Sequence, residues 1–241
     1  MTHEVILTNP PPPDSLKGVD PQTSKAQLRS RIRSARANRS RTEAAPGSAS
    51  TDSRTETAPT SPPSVADSAW EVIRAVPVRA LLGYAALQGE PDLDPALDRF
   101  LASGGTVYLP VVTKVGQPLL FGEITGSMSR LEPQGKWGIR EPADVAELLT
   151  AAQLLSPEVG LDLVFVPALG FGLDGARLGN GGGFYDRTFG PQGVAPLGRE
   201  ARVFGVCFAE ELDLSGLVAE DWDLRIPSAV TEHGTHAFAS S

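Results

Sequence analysis

The chain has 241 residues, 41% hydrophobic content and a formal net charge of −8. That length suffices for one sizeable core, and the acidity argues against a general nucleic-acid binder. The single cysteine, Cys207, excludes an intrachain disulfide and a cysteine-based metal site.

Residues 1–22 are irregular, and Pro10 to Pro13 favour extended chain, so a flexible N-terminal tail is expected. No signal-peptide core and no apolar run near 18 residues is present, which gives a cytoplasmic reading with no membrane partner. Residues 24–41 then carry six arginines and one lysine with no acid. Ser24 and Gln27 form a capping box, and Leu28, Ile32 and Ala35 recur at helical spacing. Lys25, Arg29, Arg33 and Arg36 fall on one side of that helix. Such a row repels itself unless an anion binds it; the alternative is a solvated basic face.

Residues 42–67 are rich in Ser, Thr, Ala and Pro and cannot repay the entropy of ordering, so a flexible insertion is expected. Helix resumes near Val65 to Val76, with Trp70, Ile73 and Val76 on an apolar face. Arg79 to Ala86 reads as a first core strand. Pro95 to Ser103 reads as a helix with Leu97, Phe100 and Leu101 inward, ended by Gly104 and Gly105. Thr106 to Val112 is a second strand and Leu119 to Ile124 a candidate third. A helix is expected over Ala143 to Leu155, and strands over Leu161 to Val166, Arg202 to Phe208 and Arg225 to Val230. Cys207 lies in an apolar run and reads as a small core hydrophobe. His233 and His236 read as a solvated tail. Strand, helix, strand in this order predicts an α/β fold, a three-layer, mostly parallel, Rossmann-like open sheet. Ligands in such sheets sit beyond the carboxyl ends of the strands. The expected domain spans 23–236.

The densest signal is the loop after the Leu161–Val166 strand. Seven of the fourteen residues from Gly170 to Gly183 are glycine, which lets a backbone turn tightly and approach a ligand closely. No Gly-Lys-Ser or Gly-Lys-Thr ends it, so it is not a Walker loop. Gly170, Gly172 and Gly175 spell a formal GxGxxG, but more glycine follows where the dinucleotide fingerprint needs a helix. Arg177 offers a cation for phosphate oxygens, and Asp186 a carboxylate for a metal or for the first turn of a helix beginning near Phe184.

Phe-Val-Pro-Ala-Leu-Gly-Phe at 165–171, followed by Asp174-Gly-Ala-Arg-Leu-Gly-Asn-Gly-Gly-Gly-Phe-Tyr-Asp186, resembles the signature of the 5-formyltetrahydrofolate cyclo-ligase family. Ala168 and Phe184 depart mildly, standing for a glycine and a tyrosine. Lys25-Ala-Gln-Leu-Arg29 matches the family's opening Lys-x-x-Leu-Arg. The resemblance covers 24–41 and 70–232 and implies ATP-dependent conversion of 5-formyltetrahydrofolate to 5,10-methenyltetrahydrofolate, with ATP as co-substrate and Mg²⁺ as cofactor. It implies catalytic roles for Lys25, Arg29 and Arg177. The same three residues would bind ATP together with Leu178, Gly179, Asn180, Gly181, Gly182, Gly183, Phe184 and Tyr185. Asp186 would be the metal ligand. Arg29 and Glu90 would contact the folate. Trp137, in a segment similar to the family's Trp-x-Ile-x-x-Pro, would stack on the pterin or pack onto the domain. Pro227 stands where the family has a second aspartate, with Asp221 or Asp223 as nearby substitutes. A monomer is expected. The other readings are a different phospho-ligand enzyme of the sugar-phosphate isomerase type, and a catalytically degenerate homologue.

Overall fold

The computed structural model describes residues 21–44, 63–134, 138–142, 147–198 and 201–239. The expected tail and most of the expected insertion lie outside these residues, as do Trp137 and the first part of the helix expected from Ala143. In chain order the elements are α1 (Pro21–Ala44), α2 (Val65–Arg74), β1 (Ala80–Leu82), α3 (Asp94–Ala102), β2 (Thr106–Val111), β3 (Leu120–Glu123), β4 (Glu132–Gln134) and β5 (Ile139–Glu141). They continue with α4 (Ala151–Leu154), β6 (Leu163–Pro167), β7 (Gly170–Phe171), β8 (Arg177–Leu178), α5 (Phe184–Phe189), β9 (Arg202–Val206), β10 (Ser228–Thr231) and β11 (Gly234–Ala237).

Local chemistry sets the helix ends. Helix α1 opens at Pro21, ahead of the expected cap at Ser24, because proline loses nothing at a helix's first turn, where the amide has no partner. Helix α2 is capped by Ser64, whose hydroxyl accepts from Asp67 N while Ser64 N donates to the Asp67 carboxylate. Its face Val65, Ala66, Ala69, Val72 and Ile73 is buried, while Trp70 is only half-buried. Helix α4 is shorter than expected. Thr150 and Gln153 make a reciprocal cap, so the helix starts only after Thr150, and Leu149 instead bridges Phe121 of β3.

Seven strands form one mixed sheet in the order β11-β10-β9-β6-β1-β2-β3. The β2-β1-β6-β9-β10 core is parallel, and the edge strands β3 and β11 are antiparallel. Side chains alternate between two layers. Leu81, Val107, Leu163 and Phe165 face α2 and α3, whereas Ala80, Leu82, Val164 and Val166 face α4 and α5. A smaller apolar cluster lies under α1, where Leu28 and Ile32 pack on Leu169, Leu178, Leu214 and Leu217. Ala35, expected on that face, is exposed. His236 lies in β11, its ring 5.1 Å from that of Phe238, and so belongs to an edge strand rather than a tail. Cys207 is fully buried, and burial pushes its thiol pKa well up, consistent with an inert core residue.

From β1 the chain adds β2 and β3 on one side and β6, β9, β10 and β11 on the other. The strand order therefore reverses between β1 and β6, and their carboxyl ends diverge there. Strand β1 stops at Leu82; of the residues expected to extend it, Gly83 still donates to Tyr108 O of β2 at 2.9 Å, and Tyr84 and Ala85 beyond it wall the opening.

Candidate active site

Strand β6 ends at Pro167 and runs into the glycine loop, which begins as a hairpin. Strands β7 and β8 pair antiparallel, and the turn between them is held by Asp174 Oδ1, which accepts Ala176 N at 3.2 Å. The formal GxGxxG is this hairpin and opens no helix. Gly175 has φ +74°, and a Cβ there would lie 2.2 Å from Ile226 O. The C-terminal segment thus presses directly on the loop, with Ile226 N donating to Gly175 O at 3.1 Å and Arg225 paired to Asp174. The loop closes at Gly183, φ +63°, which starts α5.

That packing delivers two carboxylates that the sequence reading did not place firmly. Lys25 Nζ donates to Asp223 Oδ2 at 2.7 Å and to Glu220 Oε2 at 3.0 Å, and the lysine side chain is 6% exposed. Burial works against its charge, but the two carboxylates outweigh it and raise the ammonium pKa. Arg29 Nε donates to Gly179 O at 3.0 Å, and Arg33 Nη2 donates to Asn180 O at 2.7 Å. Burial, with the neighbouring Arg33 charge, lowers the Arg29 pKa. Arg36 pairs with Glu211. The basic row of α1 is therefore engaged residue by residue by the protein's own carboxylates and loop carbonyls.

Arg177 points back along the loop. Its Nη2 donates to Asp186 Oδ1 at 2.9 Å and its Nη1 to Pro167 O at 3.3 Å. Burial pushes the Asp186 pKa up, but the Arg177 charge and hydrogen bonds, including one from Leu224 N at 3.2 Å, outweigh it and hold Asp186 below the usual carboxylate range. Glu90 sits across the opening. Its Oε2 accepts Leu87 N at 3.0 Å and its Oε1 accepts Asn180 Nδ2 at 3.0 Å.

These groups line one cleft of about 850 Å³ at the point where the strand order reverses. Five cations (Lys25, Arg29, Arg33, Arg177, Arg187) and four carboxylates (Glu90, Asp186, Glu220, Asp223) line it. Its remaining wall is apolar, with Tyr84, Val112, Leu119, Ile139, Phe184 and Tyr185. Of the expected site residues, the cleft gathers Lys25, Arg29, Glu90, Arg177, Gly179, Asn180, Gly181, Gly182, Gly183, Phe184, Tyr185 and Asp186. Leu178 is not among them. It is fully buried and packs under α1, because side chains alternate along β8 and Arg177 takes the cleft side. Arg33, Arg187, Tyr84 and Trp222 join the site without having been assigned to it. Trp222 is 49% exposed yet lines the cleft, and its place between Asp221 and Asp223 was the available signal.

Among the described residues, no three carboxylate, histidine or cysteine side chains cluster as a ready metal site. Mg²⁺ typically takes one or two carboxylates plus substrate phosphates and waters, so Asp186 and Asp223 fit it as companions of a phosphorylated ligand. Pro227 and Asp221 line a neighbouring concavity rather than the cleft.

Two buried polar atoms in the cleft wall, Arg177 Nε and Tyr185 Oη, have no hydrogen-bond partner among the described residues. An unpaired buried hydroxyl costs about 1–3 kcal/mol. Tyr185→Phe is accordingly expected to raise the ligand-free unfolding free energy by about 1 kcal/mol, and denaturant melts check this. A stability loss would show that the hydroxyl has a partner in solution.

A similar architecture occurs in the NMR structure of Aquifex aeolicus 5,10-methenyltetrahydrofolate synthetase, at a TM-score of 0.57 and 20% identity over 90% of this chain and 94% of that one. The 5-formyltetrahydrofolate cyclo-ligase of Escherichia coli K12 is 31% identical over 155 residues, covering 61% of this chain and 75% of that protein. The one from Mycolicibacterium smegmatis is 32% identical over 161 residues, covering 64% and 73%. The model of the 5-formyltetrahydrofolate cyclo-ligase family matches residues 21–232, the stretch that builds every strand of the sheet but β11 and the cleft with its charged wall, and the chain belongs to that family.

Proposed function

We propose that this protein converts 5-formyltetrahydrofolate to 5,10-methenyltetrahydrofolate with release of ADP and phosphate. The observation that carries this reading is the two-sided cleft. One cleft at the sheet's reversal point brings five cations and a glycine backbone together with an apolar wall, and Glu90 is held against the glycine loop through Asn180. A binder of phosphate alone has no need of the apolar wall and of Glu90 beside the loop.

In this reading the formyl oxygen attacks the γ-phosphorus of ATP and ADP departs. N10 of the folate then attacks the activated formyl carbon and gives up its proton, and phosphate leaves as the ring closes. The chain's work is positioning and charge stabilisation. Lys25, Arg29 and Arg177 neutralise phosphate oxygens. The 179–183 backbone approaches the nucleotide closely, with Gly181 (φ +100°) under the Arg29 guanidinium. Glu90 orients the folate. Mg²⁺, when bound, would draw charge from the phosphoryl oxygens, and Asp186, with Asp223 beside it, is the group that would hold it.

An isomerase of sugar phosphates would have no use for Lys25 and Arg29, yet both reach the cleft. The test is absorbance-monitored formation of the methenyl product from 5-formyltetrahydrofolate with Mg-ATP. ATP-dependent product is expected. Folded protein giving no product would sink this reading and leave the fold intact.

A further inference from the structure

Asn180 lies at the crossing of three chain segments. Its backbone carbonyl accepts from Arg33 of α1 at 2.7 Å, and its side-chain oxygen faces the same guanidinium at 3.4 Å. Its amide nitrogen donates to Glu90 Oε1 at 3.0 Å. The orientation of the amide follows from the charges around it, since the oxygen meets a cation and the nitrogen a carboxylate. The preceding residue, Gly179, is held by Arg29 through its carbonyl. The glycine loop is therefore strapped to α1 on one side and to the Glu90 loop on the other.

Glu90 is committed on both oxygens. Oε2 takes the amide of Leu87 within its own turn, and Oε1 takes Asn180. A folate donor that approaches Oε1 competes with Asn180. A phosphate chain that settles on residues 179–183 shifts the backbone carrying Asn180. Where each ligand alone opens the Asn180–Glu90 bond, the second finds it already open. A cost borne once and shared by two ligands is a favourable coupling free energy, which is positive cooperativity, and it is reciprocal.

We propose that Asn180 is a positioning residue that couples the two substrate subsites, so that each substrate tightens the other through release of Glu90. This inference rests on the assignment of nucleotide and folate to the two sides of the cleft made above. It adds a property that the assignment alone does not require.

The experiment is calorimetric titration of the full chain with a non-hydrolysable ATP analogue plus Mg²⁺, in the absence and presence of saturating 5-formyltetrahydrofolate. The same titrations are made with Asn180→Ala and Asn180→Asp, and melting curves confirm that both variants fold. For the wild type the folate is expected to tighten the nucleotide on the order of fivefold, at the low end of typical coupling because the bond is solvent-exposed. In both variants the factor falls to about one. A role confined to loop stability would weaken nucleotide binding equally with and without folate and leave the factor unchanged. An unchanged factor, or a wild type with no coupling, overturns this inference while the binding of both ligands upholds the proposed function. A wild type that binds neither ligand overturns both.

Discussion

Lys25→Ala is expected to lower kcat/KM for ATP by about 10²–10³-fold while changing the KM for the folate little, as measured by initial rates against each substrate. The reason lies in what the lysine leaves behind. Its ammonium is held by Asp223 and Glu220 in a nearly buried position. A charge-assisted contact to phosphate contributes roughly 1.5–3 kcal/mol, or about tenfold to a hundredfold in rate at 1.4 kcal/mol per decade. Removing Lys25 also leaves two carboxylates facing the incoming polyphosphate with no cation between them. Repulsion adds to lost attraction, which takes the expected loss to the upper figure. The two parts separate in a double variant. Glu220→Gln in the Lys25→Ala background removes one negative charge and should recover about tenfold. Asp223 is the worse choice for this control, because it also accepts Glu220 N at 2.8 Å and lies beside the proposed metal ligand. Lys25→Ala activity within about threefold of wild type would mean that the phosphates bind elsewhere, and would remove α1 from the nucleotide site.

The sequence was most readable where a local pattern had one physical outcome. The apolar runs at 161–166 and 202–208 became adjacent parallel strands, β6 buried from Leu163 to Val166 and β9 buried at Gly205 and Val206. The glycine loop read as a ligand-facing turn, and it lines the cleft. The charged row of α1 was readable as a row on one side of a helix, but not as a set of engaged groups. Its partners Glu220, Asp223 and Glu211 lie 175–198 residues away, and a periodicity carries no information about them. The short elements were missed for a related reason. The β7–β8 hairpin and β11 have too few residues to show alternation, and tertiary pairing with β10 and with Arg225 and Ile226 holds them in place. Strand β1 was read too long because Gly83 to Ala86 are as apolar as the strand itself. Tyr84 and Ala85 are buried between the α2–α3 layer and the cleft, a distinction that apolar character alone does not write into a sequence.

The second large effect is on stability. Arg36→Ala is expected to lower the unfolding free energy by about 3–5 kcal/mol, read from denaturant midpoints, and to reduce activity with it. Arg36 and Glu211 are 5% and 3% exposed, and they pair through two 2.7 Å bonds, Nε to Oε1 and Nη2 to Oε2. Nη2 also donates to Ala168 O at 2.8 Å, and the guanidinium lies 5.6 Å from the Phe208 ring. Removing the arginine strands a buried carboxylate whose remaining donor is Phe208 N at 2.9 Å, and an uncompensated buried charge is the costly case. Among the described residues of α1, Leu28 and Ile32 are the buried apolar side chains, contributing roughly 2 kcal/mol each, and Lys25 is the other buried charged anchor. The Arg36–Glu211 pair is thus a main anchor of α1, and supports the placement of Lys25 and Arg29. Ala168 follows β6 and precedes the glycine loop, so losing its donor loosens the loop from the other end as well. Replacing both partners, Arg36→Met with Glu211→Leu, removes the stranded charge and should cost at most about 2 kcal/mol, well below the single variant. A single Arg36→Ala loss under about 1 kcal/mol would show that α1 is held by its apolar residues, and the double variant would then gain nothing.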